Sequence, residues 1–81
     1  MKILYTRSSC GYCAWVMQIF DQLGLQYEVR DVDLAEYLKE LLEKGGKQQV
    51  PYYIDTDKGI GLYESKDIVK FVVEEEKRSK E

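Results

Sequence analysis

The only two cysteines of this chain, Cys10 and Cys13, lie three residues apart where a strand pattern gives way to a helix pattern. Lys2–Thr6 is typical of a short buried strand, and apolar residues recur at helical spacing over residues 14–23. We therefore expect Cys10 at a helix N-terminus, where unpaired backbone N–H groups and the helix dipole stabilise a thiolate. Cys13 would lie one turn further along, with its sulfur within reach of Cys10.

The next two elements follow from spacing and from helix-ending residues. Gly24 is expected to end the first helix, and the alternation over residues 26–31 predicts a half-exposed edge strand. Asp33 followed by Glu36 resembles a capping box that opens a second helix ending at Gly45-Gly46. Four leucines at helical spacing are expected to form the buried face of this helix: Leu34, Leu38, Leu41 and Leu42.

The last part of the chain predicts a hairpin and a third helix. Tyr52–Asp55 and residues 60–63 form two strand patterns that are joined by turn residues. Ser65 is expected to cap a helix whose apolar face carries Ile68, Val69, Val72 and Val73. The element order is therefore β-α-β-α-β-β-α, an α/β pattern in which three helices flank a four-stranded mixed sheet.

Length and charge limit the classes of protein to consider. The 81 residues are too few for two cores, so we expect one domain over residues 1–81. A net charge of −3 gives no electrostatic basis for nucleic-acid binding, and no apolar run approaches a membrane span. No export signal is visible, and a cysteine pair this close is not a secreted disulfide framework, so we expect a cytoplasmic location. We also expect the protein to be a monomer.

Three motifs in order resemble the glutaredoxin family of the thioredoxin fold over nearly the whole chain. They are Arg-Ser-Ser-Cys-Gly-Tyr-Cys at residues 7–13, Val50-Pro51 before the third strand, and Leu-Tyr-Glu-Ser-Lys-Asp-Ile at residues 62–68. The third motif also resembles the Glu-Ser element in the N-terminal domain of glutathione transferases. Both likenesses imply the same ligand, glutathione.

The resemblance assigns roles to residues of this sequence. It implies a cis bond before Pro51, so that the backbone of Val50 pairs with glutathione, and it places the γ-glutamyl carboxylate at Ser65. Glu64 would face the ligand ammonium group, and Tyr12 would pack against the ligand. The implied glutathione-binding set is Arg7, Tyr12, Gln48, Val50, Pro51, Glu64 and Ser65, with Lys47 joining Arg7 and Gln48 as candidates for the glycyl carboxylate.

The sequence departs from the family pattern in places that bear on these roles. Gln49 stands where many relatives have threonine, Tyr63-Glu64 stands where many have a Gly-Gly pair, and Gly11 stands where redox-active relatives usually have proline. The first departure leaves the role of the Gln49 side chain open. The third is the cue for an alternative function that involves a metal cluster.

The expected function is that of a dithiol thiol–disulfide oxidoreductase, with Cys10 as nucleophile and Cys13 as resolving thiol. Glutathione or a similar small thiol would be the co-substrate, and disulfide-containing proteins the substrates, in a role of electron transfer and redox homeostasis.

Three other functions stay open. One is a dimeric carrier of a [2Fe-2S] cluster bound by Cys10 of each protomer and two glutathiones. Another is a thioredoxin-like donor that a flavoprotein reductase reduces, and the third is a structural fragment of a larger transferase. A zinc site within one chain is nearly excluded, because there is no histidine and no third cysteine.

Overall fold

A four-stranded mixed sheet with helices on both faces forms the computed structural model, which describes residues 1–79. The predicted order β-α-β-α-β-β-α is confirmed. In chain order the elements are β1 (Lys2–Thr6), α1 (Gly11–Gln22), β2 (Glu28–Asp31), α2 (Ala35–Gly45), β3 (Tyr52–Asp55), β4 (Ile60–Leu62) and α3 (Ser65–Ser79).

The strand order across the sheet is β2-β1-β3-β4. β1 pairs in parallel with β2 and antiparallel with β3, and β4 returns antiparallel to β3 as a hairpin. The parallel pair needs a crossover, which α1 supplies. β2 is therefore an edge strand, as predicted, although it begins at Glu28, two residues later than the sequence pattern indicates.

Two apolar clusters hold the helices to opposite faces of the sheet. Successive residues of β1 point to opposite faces, so Ile3 and Tyr5 pack with Leu41 of α2, whereas Leu4 packs with residues of α1 and α3. The cluster on the α1 and α3 face contains Leu4, Val16, Phe20, Tyr53, Ile68 and Val72. The end of β1 thus leads directly into the loop before α1, which carries the cysteines.

The predicted capping box at Asp33 is wrong. Leu34 occupies the N-cap position of α2, and its side chain makes no capping hydrogen bond. The Asp33 carboxylate instead lies 3.2 Å from Nε of Arg7 and accepts a hydrogen bond from the hydroxyl of Ser8. The contacts with residues distant in sequence thus replace the local cap.

The predicted buried face of α2 is only partly correct. Leu41 is buried and Leu38 packs against the core, whereas Leu34 and Leu42 are exposed. The left-handed backbone predicted to end the helices is present at Gly24, just after α1, and at Gly46, just after α2.

The cap position predicted for Ser65 is also displaced. α3 begins at Ser65 itself, and the carbonyl of Glu64 accepts a hydrogen bond from the N–H of Ile68. Glu64 therefore occupies the cap position assigned to Ser65. Within residues 1–79, no helix combines the length and apolar character needed to cross a membrane.

Candidate functional site: a paired thiol beside a cleft

Cys10 is the N-cap residue of α1, as the sequence predicts. Its extended backbone leaves the sulfur facing the first turn, where Sγ accepts a hydrogen bond of 3.1 Å from the N–H of Cys13. The Cys10 N–H donates to the carbonyl of Arg7, which fixes the loop before the helix. The Cys10 sulfur therefore lies at the positive end of the helix with a backbone N–H aimed at it.

Cys13 differs from Cys10 in its surroundings. Both are free thiols, but Cys13 is fully buried and Cys10 is partly exposed. Burial raises the pKa of the Cys13 thiol well above its ordinary value, and its hydrogen bond with the Cys10 sulfur adds to the increase, while Arg7 opposes it. At neutral pH Cys13 is therefore a protonated thiol one turn behind the accessible sulfur.

The Arg7 guanidinium is paired with the carboxylate of Asp33. Its Nε lies 3.2 Å from Asp33 Oδ1, and the same carboxylate accepts the Ser8 hydroxyl at 3.1 Å. The Nε atom is enclosed and has no hydrogen bond of good geometry with residues 1–79, so the contact with Asp33 is an ion pair rather than a hydrogen bond. The guanidinium is thus held toward the loop between β2 and α2.

A cleft of about 490 Å³ lies beside the start of α1 and α3. Its lining contains five of the seven predicted glutathione-binding residues: Tyr12, Val50, Pro51, Glu64 and Ser65. The Val50–Pro51 peptide bond is cis, as the resemblance implies. Arg7 and Gln48 do not line this cleft, and their assignment to the ligand stays a prediction.

Four further residues line the same cleft: Gln49, Tyr63, Lys66 and Asp67. Gln49 donates a hydrogen bond of 3.2 Å from Nε2 to Oε1 of Glu64. This bond joins the two walls of the cleft, one formed by residues 49–51 and the other by residues 63–67. The sequence left the role of Gln49 open, because many relatives have threonine at this position. For the other three, the only available signal was their position next to Glu64 and Ser65.

An apolar groove continues from the cleft on the other side of Tyr12. It measures about 520 Å³ and is lined by Gly11, Tyr12, Trp15, Ser65 and Lys66. Tyr12 is 70% exposed and lines both spaces, as do Ser65 and Lys66. Among the described residues, 1–79, no group of three or more cysteine, aspartate or glutamate side chains is placed to hold a metal ion.

Comparisons with known proteins agree on the family. Residues 3–55 match the family model described as Glutaredoxin. "Glutaredoxin-2, mitochondrial" of Rattus norvegicus is 34% identical over 53 residues, covering 60% of this chain and 34% of that protein. The chain thus spans about a third of the length of this relative.

Solved structures agree on the fold. The buckwheat glutaredoxin–glutathione complex is 31% identical in sequence and superposes with a TM-score of 0.61. The match covers 74% of this chain and 58% of the buckwheat chain. A glutathione S-transferase from the Antarctic clam Laternula elliptica is 22% identical in sequence and has a TM-score of 0.76. The match covers 91% of this chain and 34% of the transferase chain. The predicted thioredoxin-like fold is confirmed, and the chain belongs to the glutaredoxin family.

Proposed function

We propose that this protein is a glutathione-dependent thiol–disulfide oxidoreductase in which Cys10 is the nucleophile. The observation that carries the proposal is a partly exposed cysteine at a helix N-cap, with its sulfur accepting the Cys13 N–H at 3.1 Å. The thiolate is the form of cysteine that attacks disulfides, and an accessible sulfur at a helix terminus is placed to act as that nucleophile. The cleft beside it supports a peptide-like ligand such as glutathione.

The reaction proceeds by two exchanges of a disulfide bond. The Cys10 thiolate attacks the glutathione sulfur of a protein–glutathione mixed disulfide, the S–S bond breaks, and the protein thiolate leaves and takes up a proton. A second glutathione thiolate then attacks the glutathione sulfur bound to Cys10. The products are oxidised glutathione, of which one half comes from the substrate and the other from solution, and the regenerated Cys10 thiolate, so one free glutathione is consumed for each mixed disulfide reduced.

Cys13 is proposed as the resolving thiol for protein disulfides. After Cys10 forms a mixed disulfide with a protein, Cys13 attacks the Cys10 sulfur, releases the protein thiol, and leaves a Cys10–Cys13 disulfide that two glutathiones reduce. Burial raises the pKa of Cys13, so this attack requires loss of a tightly held proton. Exchange with glutathione at Cys10 needs no such step and is expected to be faster.

The two walls of the cleft offer complementary groups to glutathione. The start of α3 presents unpaired backbone N–H groups near Ser65, which suit the γ-glutamyl carboxylate, and Glu64 offers a charge for the ammonium group. Val50 on the opposite wall suits the cysteinyl backbone. Glutathione is also the ligand named for the similar buckwheat glutaredoxin structure, which supports the ligand class.

Arg7 would have to exchange partners to bind the glycyl carboxylate. It is now paired with Asp33 at the loop between β2 and α2. Such a half-exposed ion pair contributes about 1 kcal/mol or less, so a ligand carboxylate is a competitive partner. We therefore retain Arg7 as a proposed contact that forms only when the ligand is bound.

The test is turnover of a glutathionylated peptide by the reduced protein with glutathione, NADPH and glutathione reductase. A parallel reaction replaces glutathione and its reductase with thioredoxin reductase. We expect NADPH consumption in the first reaction, complete loss in Cys10→Ser, and retention in Cys13→Ser, which should lose much of the reduction of a protein disulfide. Turnover only with thioredoxin reductase would assign the protein to the thioredoxin-like alternative, and equal loss in both variants would reject the division of roles.

A further inference from the structure

The two walls of the cleft come from segments that are distant in sequence, and Tyr63 joins them. The Tyr63 hydroxyl donates to the carbonyl of Lys47 at 3.0 Å and accepts the N–H of Lys47 at 3.0 Å. Lys47 belongs to the loop that leads to Val50, whereas Tyr63 immediately precedes Glu64 and Ser65. The Tyr63 side chain therefore bonds to the loop that leads to the Val50 wall, while the Tyr63 backbone is part of the Ser65 wall.

The Tyr63 ring is held in place as firmly as its hydroxyl. It stacks on Tyr52 of β3 with ring centroids 4.3 Å apart and planes inclined by 30°. The Lys47 ammonium lies 5.7 Å from the centroid of the same ring. The ring thus has a fixed support in the sheet, and its hydroxyl can set the position of the loop.

The last residue of α2 leaves room for this contact. A Cβ atom on Gly45 would collide with the hydroxyl oxygen and ring of Tyr63. Alanine is normally favoured over glycine inside a helix, and Gly45 does not have a positive φ that would require glycine. The close approach of Tyr63 therefore accounts for glycine at this position.

We propose that Tyr63 is a positioning residue that sets the separation between the Val50 wall and the Ser65 wall and so determines the affinity for glutathione. It acts through the Lys47 backbone and takes no part in the exchange of disulfide bonds. The identity of the ligand rests on the function proposed above. The hydrogen bond between Gln49 and Glu64 joins the same walls, so we expect loss of the Tyr63 contact to loosen the loop rather than to detach it.

The test compares Tyr63→Phe with Tyr52→Phe. The first substitution removes both hydrogen bonds to Lys47 and keeps the stacked ring, whereas the second removes a hydroxyl from the neighbouring ring and leaves the Lys47 bonds in place. A second variant, Gly45→Ala, displaces the Tyr63 hydroxyl by steric contact alone. The readouts are amide exchange at Lys47 in the ligand-free protein, and KM for the glutathionylated peptide and kcat in the coupled assay.

We expect Tyr63→Phe and Gly45→Ala to accelerate exchange at Lys47 and to raise KM for the glutathionylated peptide by about fivefold, with little change in kcat. Tyr52→Phe should leave KM and exchange close to those of the wild type. Unchanged exchange at Lys47 would overturn the contact itself, and faster exchange with an unchanged KM would overturn its role in binding. A wild-type protein without glutathione-dependent turnover would refute the proposed function, while amide exchange would still decide whether Tyr63 holds the loop.

Discussion

At the scale of single residues, two cysteines one helical turn apart acquire different chemistry from their depth. Cys10 lies at the helix terminus with an N–H donated to its sulfur, whereas Cys13 is fully buried. The sequence predicts this difference, because Cys10 precedes the helix whereas Cys13 belongs to its apolar stripe with Val16 and Phe20. The ion pair of Arg7 with Asp33 was not predictable, since it joins residues that are distant in sequence.

Alkylation should follow the same order. With limiting iodoacetamide at neutral pH, we expect Cys10 to be modified well before Cys13, because Cys10 is accessible and Cys13 is both buried and protonated. Peptide mass spectrometry of quenched samples measures the two rates. The unfolded protein in denaturant is the control, and there the two cysteines should react at similar rates. Faster modification of Cys13 in the folded protein would contradict the assignment.

The buried thiol also predicts a loss of stability in alkaline solution. The pKa of Cys13 is raised by burial in the folded protein and is about 8.5 in the unfolded chain. The folded state therefore retains a proton that the unfolded state loses, so the free energy of unfolding falls as pH rises above about 8.5. Between pH 8.5 and 9.5 this linkage amounts to about 1 kcal/mol.

Urea unfolding under reducing conditions at these two pH values measures the effect. Cys13→Ala is the matched control, because it retains Cys10 and every other titrating group. We expect the wild type to lose about 1 kcal/mol more than this variant over the interval. Equal losses would show that Cys13 does not titrate differently in the two states.

At the scale of elements, the most predictable features were the strands β1 and β3 and the C-terminal ends of helices α1 and α2. The bounds of β1 and β3 follow from short apolar runs, and Gly24 and Gly46 adopt the left-handed backbone that ends a helix. The start of α2 was not predictable from its local pattern, because Asp33 bonds to Arg7 and Ser8 instead of capping the helix. Local motifs identify a cap only when no distant partner competes for the same side chain.

Adjacent leucines in α2 provide a matched test of its orientation. Leu41 is fully buried against the sheet, whereas Leu42 is 42% exposed. We expect Leu41→Ala to reduce the free energy of unfolding by about 2–5 kcal/mol and Leu42→Ala by less than about 1 kcal/mol. Chemical denaturation of the two variants measures this difference, and equal losses would mean that α2 is rotated about its axis relative to the structure.

At the scale of the whole molecule, the topology brings three distant motifs to one place. β1 leads into the cysteine loop, and β3 lies next to β1 in the sheet, so Val50 and Pro51 at its start come near the beginning of α1. The β4–α3 junction completes the cleft with Glu64 and Ser65. The motifs therefore predicted most of the cleft, because each one lies at the end of a predicted element.

The remaining contacts depend on loop conformation. Gln49 and Gln48 are chemically identical neighbours in a loop, and only the three-dimensional path of the chain shows that Gln49 lines the cleft and bonds to Glu64. The sequence pattern predicts Tyr63 at the end of a strand, but β4 ends at Leu62. The Tyr63 hydroxyl instead donates a hydrogen bond to the backbone carbonyl of Lys47. Neither contact has a periodic signal from which it could have been predicted.

The most direct test of the account is to trap glutathione on the Cys13→Ser variant. With oxidised glutathione, the Cys10 thiolate should displace one glutathione thiolate and retain the other glutathione as a mixed disulfide. Peptide mass spectrometry should place one glutathione on Cys10, and amide chemical shifts in the adduct should change around residues 7–13, 48–51 and 64–67. An adduct whose shift changes are confined to residues 7–13 would contradict the claim that the cleft binds glutathione.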